Sequence, residues 1–139
     1  MNNNIYKLNP QQYYFIWKVS WLSLFSCIYG LYNHHYNIAF APGCVFLTSI
    51  NYWRKPEYSW RRYLDINIVI FAFIYTNIRA INAEYYFEYY LLSSIGVCFY
   101  PIAIYNNHKE RYWLSVYFHC MIHVFGNLAN IFLYSGYIL

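Results

Sequence analysis

Residues 47–66 read LTSINYWRKPEYSWRRYLDI. The stretch closes one apolar run, crosses a short basic loop and opens another apolar run. Arg54, Lys55, Arg61 and Arg62 supply four of the chain's nine Lys and Arg residues. Basic residues bunched between apolar runs hold a loop on the inner side of a membrane and so orient the helices around it. The same stretch holds Ser49 and Asp65, two of the few polar side chains close to apolar spans.

Composition points the same way. Charged residues are 10% of the 139, while hydrophobic residues reach 60% and aromatic residues 26%. A soluble chain of this size has much surface relative to core and needs more polar side chains to cover it. Mean hydropathy is only +0.21, because the 20 Tyr score as polar. Tyr suits the membrane interface, where ring and hydroxyl meet different surroundings. The reading is an integral, multi-pass membrane protein, with nothing in the residues to say which membrane. The net charge of +4 does not signal nucleic acid, since the basic residues sit at span ends rather than along one soluble face. Cys27, Cys44, Cys98 and Cys120 show no CxxC pairing and read as small side chains within helices.

Taken in order, residues 1–12 read as a short cytoplasmic tail. No cleavable signal peptide is expected, and Asn2 stands where N-myristoylation needs glycine. Five apolar spans follow, over residues 13–32, 38–53, 64–81, 85–105 and 112–134, with a tail at 135–139. Each approaches the length needed to cross a hydrocarbon core of roughly 30 Å. Pro42 falls in the first turns of the second span, where a missing N–H costs little. Pro101 predicts a kink or early stop in the fourth. The fold class is therefore all-α, a transmembrane bundle of about five spans in one domain. With the N-terminus inside, Lys7, Lys18, Arg54, Lys55, Arg61, Arg62, Lys109 and Arg111 all fall on the cytoplasmic side, and Arg79 alone falls outside. That bias predicts an N-in, C-out orientation.

The fifth span carries a polar stripe: Ser115, His119, His123, Asn127 and Asn130. Residues four apart share a helix face. A polar stripe in a membrane helix turns to the bundle interior, where it either does chemistry or hydrogen-bonds to neighbouring helices. Two imidazoles at i, i+4 can hold one metal ion. At 1.5 Å per residue, His119 lies about 10 Å and Ser49 about 6 Å in from the cytoplasmic side. Asp65 lies at the mouth of the third span. An Asp and two His at similar depth could form a metal site, zinc on His119, His123 and Asp65, with Ser49 holding its ligands or a water. Taken singly, Asp65 fits a helix N-terminal acid and Ser49 a packing hydroxyl.

These residues resemble the superfamily of seven-span membrane hydrolases that contains alkaline ceramidases, progestin/adipoQ receptors and hemolysin III-like proteins. That family has Ser-x-x-x-His at the end of its second span, an Asp opening its third and His-x-x-x-His in its last. Here the matching positions are Ser49 in SINYW, Asp65 in RRYLDI, and His119 with His123 in HCMIH. The resemblance implies zinc on the histidines, with Ser49 and Asp65 as catalytic groups acting on a lipid amide or ester. It also implies a departure: Trp53 stands where the third zinc-binding His belongs, and the chain has five spans, not seven. A reduced or decayed hydrolase is one reading. The alternative is a non-catalytic membrane protein whose polar stripe packs helices or binds a partner.

Other chemistries find little footing. No Gly-rich phosphate loop follows a strand, haem would want His on facing helices, and no charged ring lines a pore. His34 and His35, in the turn NHHYN, fall on the opposite side and read as solvated. Arg54, Lys55, Arg61 and Arg62 could also contact anionic lipid headgroups, at about 1 kcal/mol each.

Overall fold

The structure is a computed structural model that describes residues 8–139. The expected tail at residues 1–7, with Asn2 and Lys7, lies outside the described residues. Six helices make up the described chain: α1 (Pro10–Val19), α2 (Leu22–Tyr32), α3 (Tyr36–Trp53), α4 (Trp60–Ala80), α5 (Tyr86–His108) and α6 (Tyr112–Ser135). Among the described residues the only β pairing is one isolated bridge, Ala83 to Ile138. Three helical stretches are long and apolar enough to cross a membrane: Pro10–Tyr32, Tyr86–His108 and Tyr112–Ser135.

The first helix starts earlier than its apolar run. Asn9 and Gln12 form a reciprocal capping box at 2.9 Å each way, with Pro10 at the first helical position, so residues 10–12 belong to helix and not to a tail. α1 and α2 are one rod with a tightened joint. The buried Ser20 turns its hydroxyl back onto the Ile16 carbonyl at 2.9 Å, a bond that bends helices. Around it Trp21 N–H bonds Lys18 O and Leu24 N–H bonds Trp21 O, the shorter i→i−3 pattern of a 3₁₀ turn.

Two turns use the same device. After α2, His35 N–H reaches Gly30 O and His34 N–H reaches Leu31 O; after α5, Arg111 N–H reaches Asn106 O and Glu110 N–H reaches Asn107 O. These are Schellman motifs, in which the helix's last carbonyls are satisfied by a residue in the left-handed region. His34 (φ 63°) and Glu110 (φ 59°) take that position, which glycine usually fills.

Both prolines lie deeper in their helices than expected. Pro42 sits in the second turn of α3, where it cannot donate to the carbonyl of Ile38. The buried Tyr134 hydroxyl donates to that oxygen instead, at 3.3 Å. Pro101 neither stops α5, which runs on to His108, nor ends its pairing with α6. Halfway along the α5–α6 hairpin, Gly96 lets the two backbones close; a Cβ there would lie 3.3 Å from the Phe125 Cβ.

The α1–α2 rod is central. It packs against α3 on one side and α6 on the other, with α4 beyond α3 and α5 beyond α6. α4 and α5 meet near one end, where the Tyr89 hydroxyl donates to Thr76 Oγ1 at 2.9 Å and the Tyr90 hydroxyl to the Asn77 carbonyl at 2.7 Å. Two apolar clusters hold the bundle. One, at the end bearing the basic loop, contains Ile16, Tyr52, Trp53, Val116 and Cys120. The other, at the opposite end, contains Ile38, Ala80, Tyr89, Leu133 and Tyr134. Outward faces stay apolar: Phe25, Leu47, Ile78 and Phe87 are each more than 60% exposed. All four cysteines are free; Cys120 is buried, whereas Cys98 is exposed on α5.

Candidate functional site

The sequence singles out Ser49, Asp65, His119 and His123, with Trp53 where the resemblance calls for a third histidine. α3 places Ser49 and Trp53 one turn apart on its inner face; both are buried. The basic loop then reverses the chain. Arg61 ties that reversal down by donating to the Asn51 carbonyl through Nη1 and to the Lys55 carbonyl through Nη2, each at 3.2 Å. It thereby satisfies carbonyls that the end of α3 leaves open. Asp65 follows in the second turn of α4 and is returned to the level of Ser49.

Ser49 and Asp65 do meet. Ser49 Oγ donates to Asp65 Oδ1 at 2.7 Å. Thr48, which sequence reasoning passed over, donates to the same oxygen at 2.9 Å. Its signal was available in the adjacent hydroxyls of Thr48-Ser49. The Thr48 hydroxyl also lies 3.2 Å from the carbonyls of Cys44 and Val45. Asp65 is only 7% exposed, and burying a carboxylate is costly unless hydrogen bonds answer it.

His119 and His123 share a face of α6, with ring centroids 5.6 Å apart. The ring against His119 is Trp53, edge-on, at 4.8 Å between centroids and 63° between planes. Neither imidazole hydrogen-bonds to another described residue. Among the described residues, no three His, Cys, Asp or Glu side chains gather closely enough to hold a metal ion. The two histidines form one group and the Ser49–Asp65 pair another, with Trp53 at the position linking them.

Two more residues of the stripe, Ser115 and Asn127, are spent on helix contacts. Ser115 Oγ donates to the Ala103 carbonyl of α5 at 2.8 Å. The Asn127 amide donates to Ser23 Oγ at 3.2 Å and to the His123 carbonyl at 2.7 Å, and its Oδ1 accepts from Ser26 Oγ at 2.6 Å. Ser23 and Ser26 were not anticipated, though two Ser at i, i+3 in an apolar helix mark a polar face. Beside His119 a cleft of about 280 Å³ opens between Trp53, Arg62, Tyr100, Asn107 and His108.

In the basic loop, Lys55 Nζ lies 2.9 Å from Glu57 and Arg61 lies 3.9 Å from it. The Lys55 ammonium holds the Glu57 carboxyl below its ordinary range. Arg62 lies over the rings of Tyr58 and Tyr63 at 5.2 and 5.8 Å. His34 and His35 are held in place at the other end: His34 Nδ1 is 2.8 Å from the Tyr36 hydroxyl, and His35 Nε2 donates to the Gly136 carbonyl at 2.9 Å. Compared with protein-family models, with curated proteins and with solved structures, the chain matches none of them.

Proposed function

We propose that this chain is a five-span integral membrane protein, N-in and C-out, that keeps the scaffold of a metallohydrolase-like site without its chemistry. The α1–α2 rod and α3 to α6 are the spans. α3, with 18 residues, and α4, with 21, are about 27 and 31 Å long at 1.5 Å per residue, close to a hydrocarbon core. The apolar outward faces suit lipid, and the basic residues of the α3–α4 loop suit the anionic inner surface.

The observation that carries this reading is the contact between Trp53 and His119. Position 53 lies where a third metal ligand would lie, directly against the first histidine. It holds an indole, whose only polar atom is an N–H donor that cannot ligate. Two histidines on one helix, with Asp65 in a separate group beside Ser49 and Thr48, fall short of the three protein ligands a catalytic zinc needs. The residues therefore do not fit the metal. His119 serves instead as a packing partner of Trp53, and Ser49, Thr48 and Asp65 join α3 to α4. The working role is a non-catalytic membrane component that engages anionic lipid through Arg54 and Arg62 at the basic loop.

A second reading, a reduced but active hydrolase of lipid amides or esters, draws on the 2.7 Å Ser49–Asp65 bond. Metal content of the detergent-purified protein separates the two. The vestigial reading expects the wild type and a His119→Ala/His123→Ala variant to carry the same background zinc. About one zinc per wild-type chain, lost in that variant, would establish the metal site and overturn it.

A further inference from the structure

At the end of the bundle away from the basic loop, the α2–α3 turn and the last turn of α4 enclose a pocket of about 170 Å³. That is several times the roughly 30 Å³ share of a water molecule. Its polar wall is His34, His35, Asn37 and Arg79, and Ile38 and Ile138 close the apolar side. Arg79 forms no ion pair or hydrogen bond with any described residue, and its Nε is buried without an acceptor. A guanidinium has five donors and a permanent charge, so a buried N–H without an acceptor asks for an oxygen that the chain itself does not supply. Neither Glu84 nor Glu88, the acidic side chains at this end, supplies one. Glu84 Oε2 accepts from the Tyr137 amide at 3.3 Å, and Glu88 belongs to the first turn of α5. The negative end of the α4 dipole tolerates the cation but offers no acceptor to Nε.

The histidines around it are fixed in place. His35 must carry its proton on Nε2, because its partner there is a carbonyl oxygen. His34 is set by its left-handed backbone and by the Tyr36 hydroxyl. Two imidazoles alone would suit a metal cation as well as an anion. A permanent guanidinium in the same wall repels a cation and decides for an anion.

We propose that this pocket binds a phosphate group, with Arg79 as the charged clamp and His34 and Asn37 as supporting donors. Arg suits phosphate because its planar fork can give two parallel N–H bonds. The phosphate can come from a lipid headgroup or from a small soluble phosphate, since Arg79 stands at the end of its helix. The pocket lies at the opposite end of the bundle from Trp53 and His119, so its occupancy is independent of how that site is read.

The full chain, purified in a phosphate-free detergent, is titrated with inorganic phosphate and followed by ³¹P NMR. In parallel it is presented with phosphatidylglycerol, and retained lipid is counted by native mass spectrometry. The expected result is saturable binding in at least one arm, weakened about ten-fold or more by Arg79→Gln and less by Arg79→Lys. Binding in the first arm identifies a soluble anion; binding in the second alone identifies a headgroup. No binding by the wild type in either arm overturns the proposal. So does lipid retention that Arg79→Gln leaves unchanged, which would place the lipid at the basic loop. If Arg79→Gln does not fold, His34→Gln takes its place, and unchanged binding in that variant overturns the proposal equally.

Discussion

Trp53 lies edge-on to His119, with ring centroids 4.8 Å apart. Residue 53 on α3 and residue 119 on α6 are therefore neighbours although 66 positions separate them in the chain. The vestigial reading makes a constructive prediction from this. Trp53→His places a third imidazole beside His119 and His123, and the variant is expected to gain about one zinc per chain over wild type by elemental analysis. The substitution also empties part of a buried indole's space, at a cost below the ~3–5 kcal/mol of a full Trp→Ala truncation. Zinc-dependent recovery of the thermal midpoint is then the second readout. A folded Trp53→His protein without zinc would mean the two His groups are not placed as a metal site.

Ser49 and Thr48 both answer Asp65, so their removal should not be additive. Ser49→Ala or Thr48→Ala alone leaves one hydroxyl on the carboxylate and is expected to cost about 0.5–1.5 kcal/mol, the usual net worth of one hydrogen bond. The double variant strips Oδ1 of both donors and should lose more than the sum, by about 1–3 kcal/mol for a buried unsatisfied acceptor. Unfolding in a graded SDS titration measures all three, and strict additivity would show that Asp65 draws its partners from elsewhere.

Two glycines should respond in opposite directions to alanine. A Cβ on Gly30 would stand 2.8 Å from the Ala39 Cβ and 3.0 Å from the Tyr134 ring. Ala39 and Tyr134 are both fully buried, so neither can yield cheaply, and Gly30→Ala should destabilise by about 1–3 kcal/mol. Gly126 lies inside α6 with nothing within 4 Å of a Cβ. Gly126→Ala should therefore stabilise, by up to about 1 kcal/mol, from helix propensity. The same titration reads both, and equal effects would mean that α2, α3 and α6 are not packed this closely.

The orientation has its own readout. A reporter fused after Leu139 is expected to be active only outside the cytosol. Replacing Arg54, Lys55, Arg61 and Arg62 with Gln should shift a fraction of molecules to the inverted topology, because Lys and Arg in short loops set the orientation. A cytosolic reporter in the unaltered chain would reverse the assignment of ends.

Much of the architecture was legible before any coordinates. Long apolar runs with polar turns read directly as helices, since periodicity and length are local properties. The limits of the helices were less legible. The capping box at Asn9 and Gln12 lies outside the apolar run, and the turns at His34 and Glu110 use left-handed residues without the glycine that normally announces them. Pro101 carried a stop signal that the continuous pairing of α5 with α6 overrode. Ser23 and Ser26 read as incidental until Asn127, about a hundred residues later, came to rest between them.

By itself the sequence determined that the chain is helical, with stretches long and apolar enough to cross a membrane. Apolar run length, the scarcity of charge and the bunching of Lys and Arg are summed along the chain and need no partner to be felt. The tertiary structure alone decided which polar groups meet. It brought Ser49 and Thr48 onto Asp65, set Trp53 against His119, and left Arg79 facing a pocket without an acceptor. A hydrogen bond or ring contact between helices depends on rotation and depth to within an ångström or two. Those are set by the packing of all six helices together, and no single stretch of residues carries them.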